Sequence, residues 1–314
     1  MKPIRIGTRG SALALWQSNW VKTQLQRHYP DLPVELQVIH TKGDIILDVP
    51  LAKIGDKGLF TKELESKLLA GAIDLAVHSL KDLPTALPAG LAYAAITARE
   101  DPADALVSKG HLTLEQLPPA ARVLSGSLRR RAQLLARRRD LRIEEIRGNV
   151  PTRLRKLEES DAAGIVMSLA GLKRLGLAEK VSQRFAPEDF LPACGQGALA
   201  LEIRADDTQI AQLTQFLDDF PSRQATTAER TVLARLQGGC QVPLGAYAQL
   251  SQDRLHLTAL VATLDGATLL RASASGLADE PQKLGEQVAA DLIAQGAQAI
   301  IDSIAPRGQN GSFP

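Results

Sequence analysis

The chain has 314 residues, 45% hydrophobic and 23% charged, a composition typical of a folded protein of two or three domains rather than a disordered one. No apolar run approaches the roughly 20 residues that span a bilayer, and charge returns by Arg5, which argues against a membrane anchor or secretory signal. The net charge of +2 does not indicate what kind of partner the protein binds. Two cysteines indicate no disulfide framework, so we expect a cytoplasmic protein.

Strand-like and helix-like patterns alternate through the first hundred residues. Apolar runs predict four strands, at residues 2–7, 34–38, 73–77 and 91–96. Ser11 is a suitable N-cap for the helix after the first strand, and a second helix is expected from about Thr61 to Gly71. This order predicts a mostly parallel sheet with helices on both faces.

The same alternation restarts after Asp101. Short strands that each lead into a helix are predicted at residues 123–124, 141–146 and 165–168. The strand expected at Leu199–Arg204 and a helix from about Thr208 are candidates for a return to the first unit.

The pattern changes after Pro221, where a helix, three strand-like stretches and a last helix indicate a small α+β unit. We therefore predict an α/β protein with two doubly wound domains and a small third one. The predicted domains are residues 1–98 with 199–218, residues 99–198, and residues 219–314.

Positive charge is concentrated in the second unit. Residues 122–156 hold twelve basic and three acidic side chains, a local net charge of +9 that leaves −7 for the rest of the chain. Several arginines follow predicted strands closely, namely Arg9, Arg129, Arg130, Arg147 and Arg153. Ligands bind at this edge of doubly wound sheets, and guanidinium groups match carboxylates. A polycarboxylate ligand is one interpretation, and a solvated helix face, which suits Arg137–Arg139 better, is the other.

Three further segments carry reactive side chains, each with an ordinary structural alternative. His78–Asp82 places a lysine and an aspartate at a strand end, although alone such a pair is more often a surface pair. Lys53 and Lys57 lie in a glycine-containing stretch that suits either a surface loop or a lid. Cys240 follows two glycines and is either a nucleophile or a buried thiol. The five histidines are dispersed, so no metal site is indicated.

Together these segments resemble the porphobilinogen deaminase family, also called hydroxymethylbilane synthases. Among the matching runs are Thr8-Arg9-Gly10-Ser11, Ala76-Val77-His78-Ser79-Leu80-Lys81-Asp82, Ser127-Leu128-Arg129-Arg130, Arg147-Gly148-Asn149-Val150, Gly171-Leu172-Lys173-Arg174-Leu175-Gly176 and Gly239-Cys240-Gln241-Val242-Pro243. The resemblance extends from Ile6 to about Leu250 and is looser beyond. One run could be chance, but this many in the family's order are specific.

The resemblance implies two domains like those of periplasmic binding proteins, facing each other across a cleft. It implies a transferase that joins four porphobilinogen molecules head to tail, loses ammonia at each addition and releases hydroxymethylbilane in tetrapyrrole biosynthesis. It also implies a dipyrromethane cofactor, made from the enzyme's own substrate and held by a thioether bond to Cys240. We expect a monomer with no nucleic-acid, membrane or metal partner.

The resemblance also implies individual roles. Asp82 matches the catalytic carboxylate, which would assist ammonia loss and stabilise the cationic azafulvene. The positions matching cofactor contacts are Cys240, Lys81, Asp82, Ser127, Arg129, Arg130 and Arg147. The positions matching substrate contacts are Arg9, Ser11, Gln17, Ser79, Arg147 and Arg153. Lys53 and Lys57 would lie on a lid loop.

Two positions depart from the family's usual pattern. Gly126 replaces a serine, which removes one hydroxyl from the expected pocket, and Cys194 replaces a small apolar residue and is interpreted as a buried structural thiol. Two alternatives stay open at this point. One is a non-catalytic anion-binding protein on the same scaffold, in which Cys240 would have no purpose. The other is an arginine-rich nucleic-acid-binding protein, although no aromatic residues are interleaved with the basic ones.

Overall fold

The computed structural model describes residues 2–41, 61–236 and 242–304. The predictions for Lys53, Lys57 and Cys240 therefore lie outside the described residues. Within these ranges the chain forms two α/β units and a smaller α+β unit, so the predicted fold class is confirmed. No helix in the described ranges combines the length and apolar character that a membrane span requires.

The elements follow one another in three groups. The first contains β1 (Ile4–Thr8), α1 (Ala12–His28), β2 (Val34–Val38), α2 (Lys62–Leu69), β3 (Leu75–Ser79) and β4 (Leu91–Ile96). The second contains β5 (Asp104–Ser108), β6 (Arg122–Leu124), α3 (Leu128–Arg137), β7 (Arg142–Glu144), α4 (Val150–Glu159), β8 (Gly164–Ser168), α5 (Leu169–Arg174) and β9 (Gln183–Arg184). The rest are β10 (Leu199–Arg204), α6 (Thr208–Thr214), α7 (Phe220–Arg235), β11 (Leu244–Ser251), β12 (Arg254–Ala262), β13 (Leu269–Leu277), α8 (Pro281–Ala294) and α9 (Ala297–Ile304).

Two of the three sheets share one topology. The first has the order β2-β1-β3-β10-β4, and the second has the order β7-β6-β8-β5-β9. In each, only the fourth strand runs against the others, because β3 and β4 both pair antiparallel with β10, and β8 and β9 both pair antiparallel with β5. Four of the five strands in each sheet run the same way, as predicted, but the fourth strand makes both sheets mixed, with two parallel and two antiparallel pairs. Strand β10 brings the chain back into the first sheet. The third sheet is the antiparallel meander β11-β12-β13.

Polar side chains cap helices that begin next to strand ends. Ser11, Ser127 and Asn149 each accept a hydrogen bond from the backbone N–H three residues later, at the starts of α1, α3 and α4. Such a cap satisfies a donor that the first turn of a helix leaves unpaired. The predicted cap at Ser11 is confirmed, and these caps place the first turns of the three helices at the ends of β1, β6 and β7.

Strands β5 and β9 and helix α9 have no counterpart in the sequence predictions. All five residues of β5 are buried, including Asp104, whose carboxylate is paired with Arg129 and Arg130. Aspartate is almost never fully buried without a partner, so an aspartate at the start of this segment argues against a core strand when only the sequence is known. Helix α9 is separated from α8 by Gly296 at φ +97°, a conformation that suits glycine.

A fully buried carboxylate on α7 joins the two segments that connect the sheets. Glu229 accepts hydrogen bonds from Nη1 and Nη2 of Arg99 at 2.6 and 3.1 Å, within the first connection. It also accepts from the backbone N–H of Gly195 at 2.7 Å, in the return connection, and of Ala248 at 2.8 Å in β11. One side chain of the third unit thus fixes both connections between the first two.

Replacing this carboxylate should destabilise the fold strongly. In Glu229→Gln the guanidinium of Arg99, itself largely buried, loses its ionic partner, and we expect the free energy of unfolding to fall by about 3–5 kcal/mol. Urea denaturation followed by circular dichroism measures the change. Glu286→Gln, which removes an exposed partner of Arg235, is the control and should cost at most about 1 kcal/mol. Equal losses in the two variants would contradict this role of Glu229.

Candidate active site

Of the side chains that the sequence singles out, those on the described turn Lys81–Asp82 lie near the arginines of the second unit, where the first two units face each other. The ends of β1 and β3 contribute Arg9, Ser11 and Ser79, followed by the 3₁₀ turn Leu80–Asp82. The segments after β6 and β7 contribute Ser127, Arg129, Arg130, Arg147 and Arg153. The two groups are joined by Gln196, whose Oε1 accepts from Nζ of Lys81 at 3.1 Å and whose Nε2 donates to Asp104 at 2.9 Å.

Asp104 organises the two neighbouring arginines. Its carboxylate accepts from Nη1 of Arg129 at 2.6 Å and from Nη2 and Nε of Arg130 at 2.7 and 3.1 Å. Burial alone would raise the pKa of this carboxyl, but the two guanidinium groups hold it well below its usual range. One negative charge therefore faces two positive ones, which leaves a buried excess of positive charge.

Two further arginines extend this excess. Nη1 of Arg147 is buried and has no hydrogen-bond partner among the described residues. Nε of Arg153 donates to the carbonyl of Gly148 at 2.7 Å. Burial lowers the pKa of Arg153 to about 10, with Arg130 and Arg147 adding to the effect and Asp82 opposing it. Because a buried unpaired donor is costly, this cluster is suited to an anionic ligand.

Lys81 and Asp82 lie on the turn after β3, opposite these arginines. Burial lowers the pKa of the Lys81 ammonium to about 8; the carboxylate of Asp82 opposes this shift, and Arg130 adds to it. Asp82 is exposed to solvent, whereas Lys81 is half-buried. The site thus offers an accessible carboxylate between a lysine of the first unit and the arginines of the second.

Ser79 is held in place from α1. The buried Gln17 donates from Nε2 to Oγ of Ser79 at 2.8 Å, which ties α1 to the end of β3. Ser11 and Ser127 serve their helices as caps, so their hydroxyl oxygens already accept a backbone N–H. Each can still donate its own proton to a ligand.

Arg230 supports the turn from the third unit, and no sequence pattern indicated it. From α7, its Nη1 donates to the carbonyls of Leu80 and Leu83, both at 3.2 Å, and its Nη2 donates to that of Pro84 at 2.5 Å. These bonds fix the backbone on both sides of Lys81 and Asp82. In the sequence, Arg230 is merely one more basic residue of an amphipathic helix.

Arg174 is a further cation at the site. Its Nη2 donates to the carbonyl of Gly197 at 2.6 Å, and its guanidinium lies 5.8 Å from the centre of the Trp16 ring. Burial lowers its pKa to about 10. Arg174 lies in the motif Gly171–Gly176, which matches the family. The motif did not lead to a predicted ligand contact for this arginine.

Gly126 allows a close backbone approach beside the arginines. A Cβ atom at this position would lie 2.7 Å from the carbonyl oxygen of Ile146, immediately before Arg147. A serine there would require one of the two backbone segments to move. The departure from the family pattern is therefore matched to the local spacing of this chain.

Two residues near the site have structural roles. His78 is buried and hydrogen-bonded through Nε2 to Glu202 at 2.9 Å. Cys194 is a buried free thiol, as predicted, and burial raises its pKa to about 12. In the described part of the chain, no group of histidine, cysteine or carboxylate side chains is arranged to hold a metal ion.

Comparisons with known proteins agree with this site. Residues 4–212 match the family model "Porphobilinogen deaminase, dipyromethane cofactor binding domain", and residues 224–294 match "Porphobilinogen deaminase, C-terminal domain". The porphobilinogen deaminase of Carboxydothermus hydrogenoformans is 49% identical over 303 residues, 96% of this chain and 97% of that protein. That of Desulforudis audaxviator is 52% identical over 300 residues, again 96% and 97%.

Among solved structures, the periplasmic aliphatic sulphonate binding protein SsuA from Escherichia coli aligns with a TM-score of 0.40 and 16% identity. The alignment covers 76% of this chain and 71% of that one, and a likeness so distant has no bearing on function.

The state of Cys194 can be tested directly. Burial raises the pKa of Cys194 to about 12 and covers the side chain, so the thiol stays un-ionised near pH 8 and iodoacetamide should leave it unmodified in the native protein. Peptide mass spectrometry should show modification only after denaturation, which serves as the control. Rapid alkylation in the native state would contradict the buried, un-ionised thiol.

Proposed function

The chain belongs to the porphobilinogen deaminase family, and within its reaction we propose that Asp82 is the catalytic carboxylate and that Cys240 carries the dipyrromethane cofactor. The enzyme is a transferase of tetrapyrrole biosynthesis that polymerises porphobilinogen to hydroxymethylbilane. Family membership decides against a non-catalytic anion-binding protein. The residue assignments rest on the geometry of the described site.

One observation supports the assignment of the pocket above all others. The buried Nη1 of Arg147 has no partner among the described residues, and it belongs to a group of cations that a single carboxylate, Asp104, leaves incompletely neutralised. The pyrrole units of substrate and cofactor carry acetate and propionate groups, so this donor set fits them.

We assign the cofactor's carboxylates to Lys81, Ser127, Arg129, Arg130 and Arg147, with Asp82 beside them. When bound, the dipyrromethane anchors the growing pyrrole chain to the protein. Arg129 and Arg130 reach it as a pair whose positions Asp104 fixes, so they need little reorganisation on binding.

Substrate is assigned to Arg9, Ser11, Gln17, Ser79, Arg147 and Arg153. In its protonated form, the Asp82 side chain can donate its proton to the amine of porphobilinogen, so that the carbon–nitrogen bond breaks and ammonia leaves. The carboxylate formed by this transfer can then stabilise the positive charge on the carbon left behind. Because Arg230 binds three carbonyls around the turn, the position of Asp82 is set before substrate arrives.

We further propose domains of residues 1–98 with 199–218, 99–198 and 219–314, a division supported by the return of β10 to the first sheet. Lys53 and Lys57 are assigned to a lid. The proposed enzyme is a cytoplasmic monomer without nucleic-acid or membrane partners.

The covalent anchor predicts a mass excess. Intact-protein mass spectrometry of the purified enzyme should show the mass of the sequence plus one dipyrromethane unit, and Cys240→Ser should remove this excess because the thioether cannot form. Cys194→Ala is the matched control and should retain it, since that thiol is buried and un-ionised. If active wild-type enzyme had only the mass of its sequence, the assignment of Cys240 as the cofactor anchor would be wrong.

Removing the charge at Asp82 should abolish most turnover while leaving the fold unchanged. General acid–base catalysis contributes about 100- to 10,000-fold, so Asp82→Asn should lower ammonia release by at least about 100-fold. Ammonia is measured during porphobilinogen consumption, and circular dichroism checks the fold. Asp279→Asn, at an exposed aspartate of the third unit, should be near wild type. Turnover of Asp82→Asn within about 10-fold of wild type would remove Asp82 from this role.

A further inference from the structure

We propose that Gln196 is a positioning residue that holds the Lys81 ammonium in its charged form beside Asp82. This inference rests on the proposed site, in which Lys81 faces the carboxylates of the ligand. Gln196 belongs to the return connection between the second unit and β10, and none of the roles assigned above includes it.

The orientation of the Gln196 amide is fixed by its surroundings. The side chain is 1% exposed. Its Nε2 donates to the carbonyl of Pro102 at 2.7 Å and to the carboxylate of Asp104 at 2.9 Å. These two acceptors leave Oε1 to face the cations, and it accepts from Lys81 at 3.1 Å and, more weakly, from Arg130 at 3.5 Å.

The amide has an electrostatic task as well as a geometric one. Burial is the main influence against the charged form of Lys81. Among the described residues, Arg130 and Arg129 also disfavour this form, whereas Asp82 and Asp104 favour it. A hydrogen-bond acceptor on the ammonium stabilises the charged form. A neutral amide supplies that acceptor and still donates to Asp104, whereas a glutamate here would face the Asp104 carboxylate at hydrogen-bond distance.

The sign of the effect follows from this arrangement. The charged form of Lys81 predominates below its pKa and is lost as the pH rises through it. Gln196→Met keeps the size of the side chain but removes Oε1, so the pKa of Lys81 should fall. The loss of one hydrogen bond to a charged group corresponds to a decrease of about one pH unit.

The pKa of Lys81 can be measured without relying on turnover. The holoenzyme is labelled with trace acetic anhydride across a pH series, and peptide mass spectrometry gives the labelling midpoint of Lys81. Gln196→Met should lower this midpoint by about one unit relative to wild type. The alkaline limb of kcat/KM should move in the same direction.

The matched control is Gln133→Met. Gln133 is also a buried glutamine, but both ends of its amide bind the backbone of Leu191 in the second unit. Gln133→Met should leave the Lys81 midpoint unchanged. A midpoint in Gln196→Met equal to wild type, or an equal shift in both variants, would overturn the proposal.

A charge exchange tests the same contact in the opposite direction. The double variant Gln196→Glu with Asp104→Asn keeps one carboxylate and one amide in contact but moves the negative charge next to Lys81. It should raise the Lys81 labelling midpoint above the wild-type value, and a fall or no change would overturn the proposal. Because labelling is read at Lys81 itself, a failure of the catalytic role of Asp82 would leave these shifts intact.

Discussion

The arrangement of this enzyme depends on the cost of burying like charges together. Asp104, at the start of β5, is the carboxylate on which Arg129 and Arg130 converge, and without it two adjacent guanidinium groups would be buried without this ionic partner. It neutralises only part of their charge, and Arg147 adds to the remainder. The pocket is therefore stable enough to fold and still keeps an excess of positive charge. In the proposed function, the same residues set both the cost of burying charge and the attraction for an acidic ligand.

Helix α7 connects this pocket to the rest of the molecule. Its consecutive residues Glu229 and Arg230 contact different parts of the molecule. Glu229 binds both connections between the sheets, and Arg230 binds the turn that carries Lys81 and Asp82. The helix ends at Arg235, five positions before Cys240 in the sequence. The turn that carries Lys81 and Asp82 is thus held by the same helix whose end precedes Cys240 in the sequence.

The sequence predicted most of the fold because local signals were clear. Ser11 caps a helix as its position suggested, and the mostly parallel sheets follow from alternating strands and helices. Strand β5 was not predicted because it begins with Asp104. This aspartate can be buried in a core strand only because Arg129 and Arg130 pair with it, and the sequence does not show that pairing. Arg230 carried no signal, and Gln196 lay in a Gly-Gln-Gly run that matches the family but indicated no role for the glutamine. The contacts that define their roles join residues 66 or more positions apart in the sequence. Motifs therefore indicate candidate ligand-facing side chains, whereas the residues that position them are identified only by contacts in the folded chain.

The close approach at Gly126 restricts which residues this position can accept. A side chain there would collide with the Ile146 carbonyl, so a serine is not a neutral replacement in this chain. Such a replacement would require the backbone immediately before Arg147 to shift, and the guanidinium of Arg147 with it. A residue without a side chain therefore sets the distance between two loops that carry arginines.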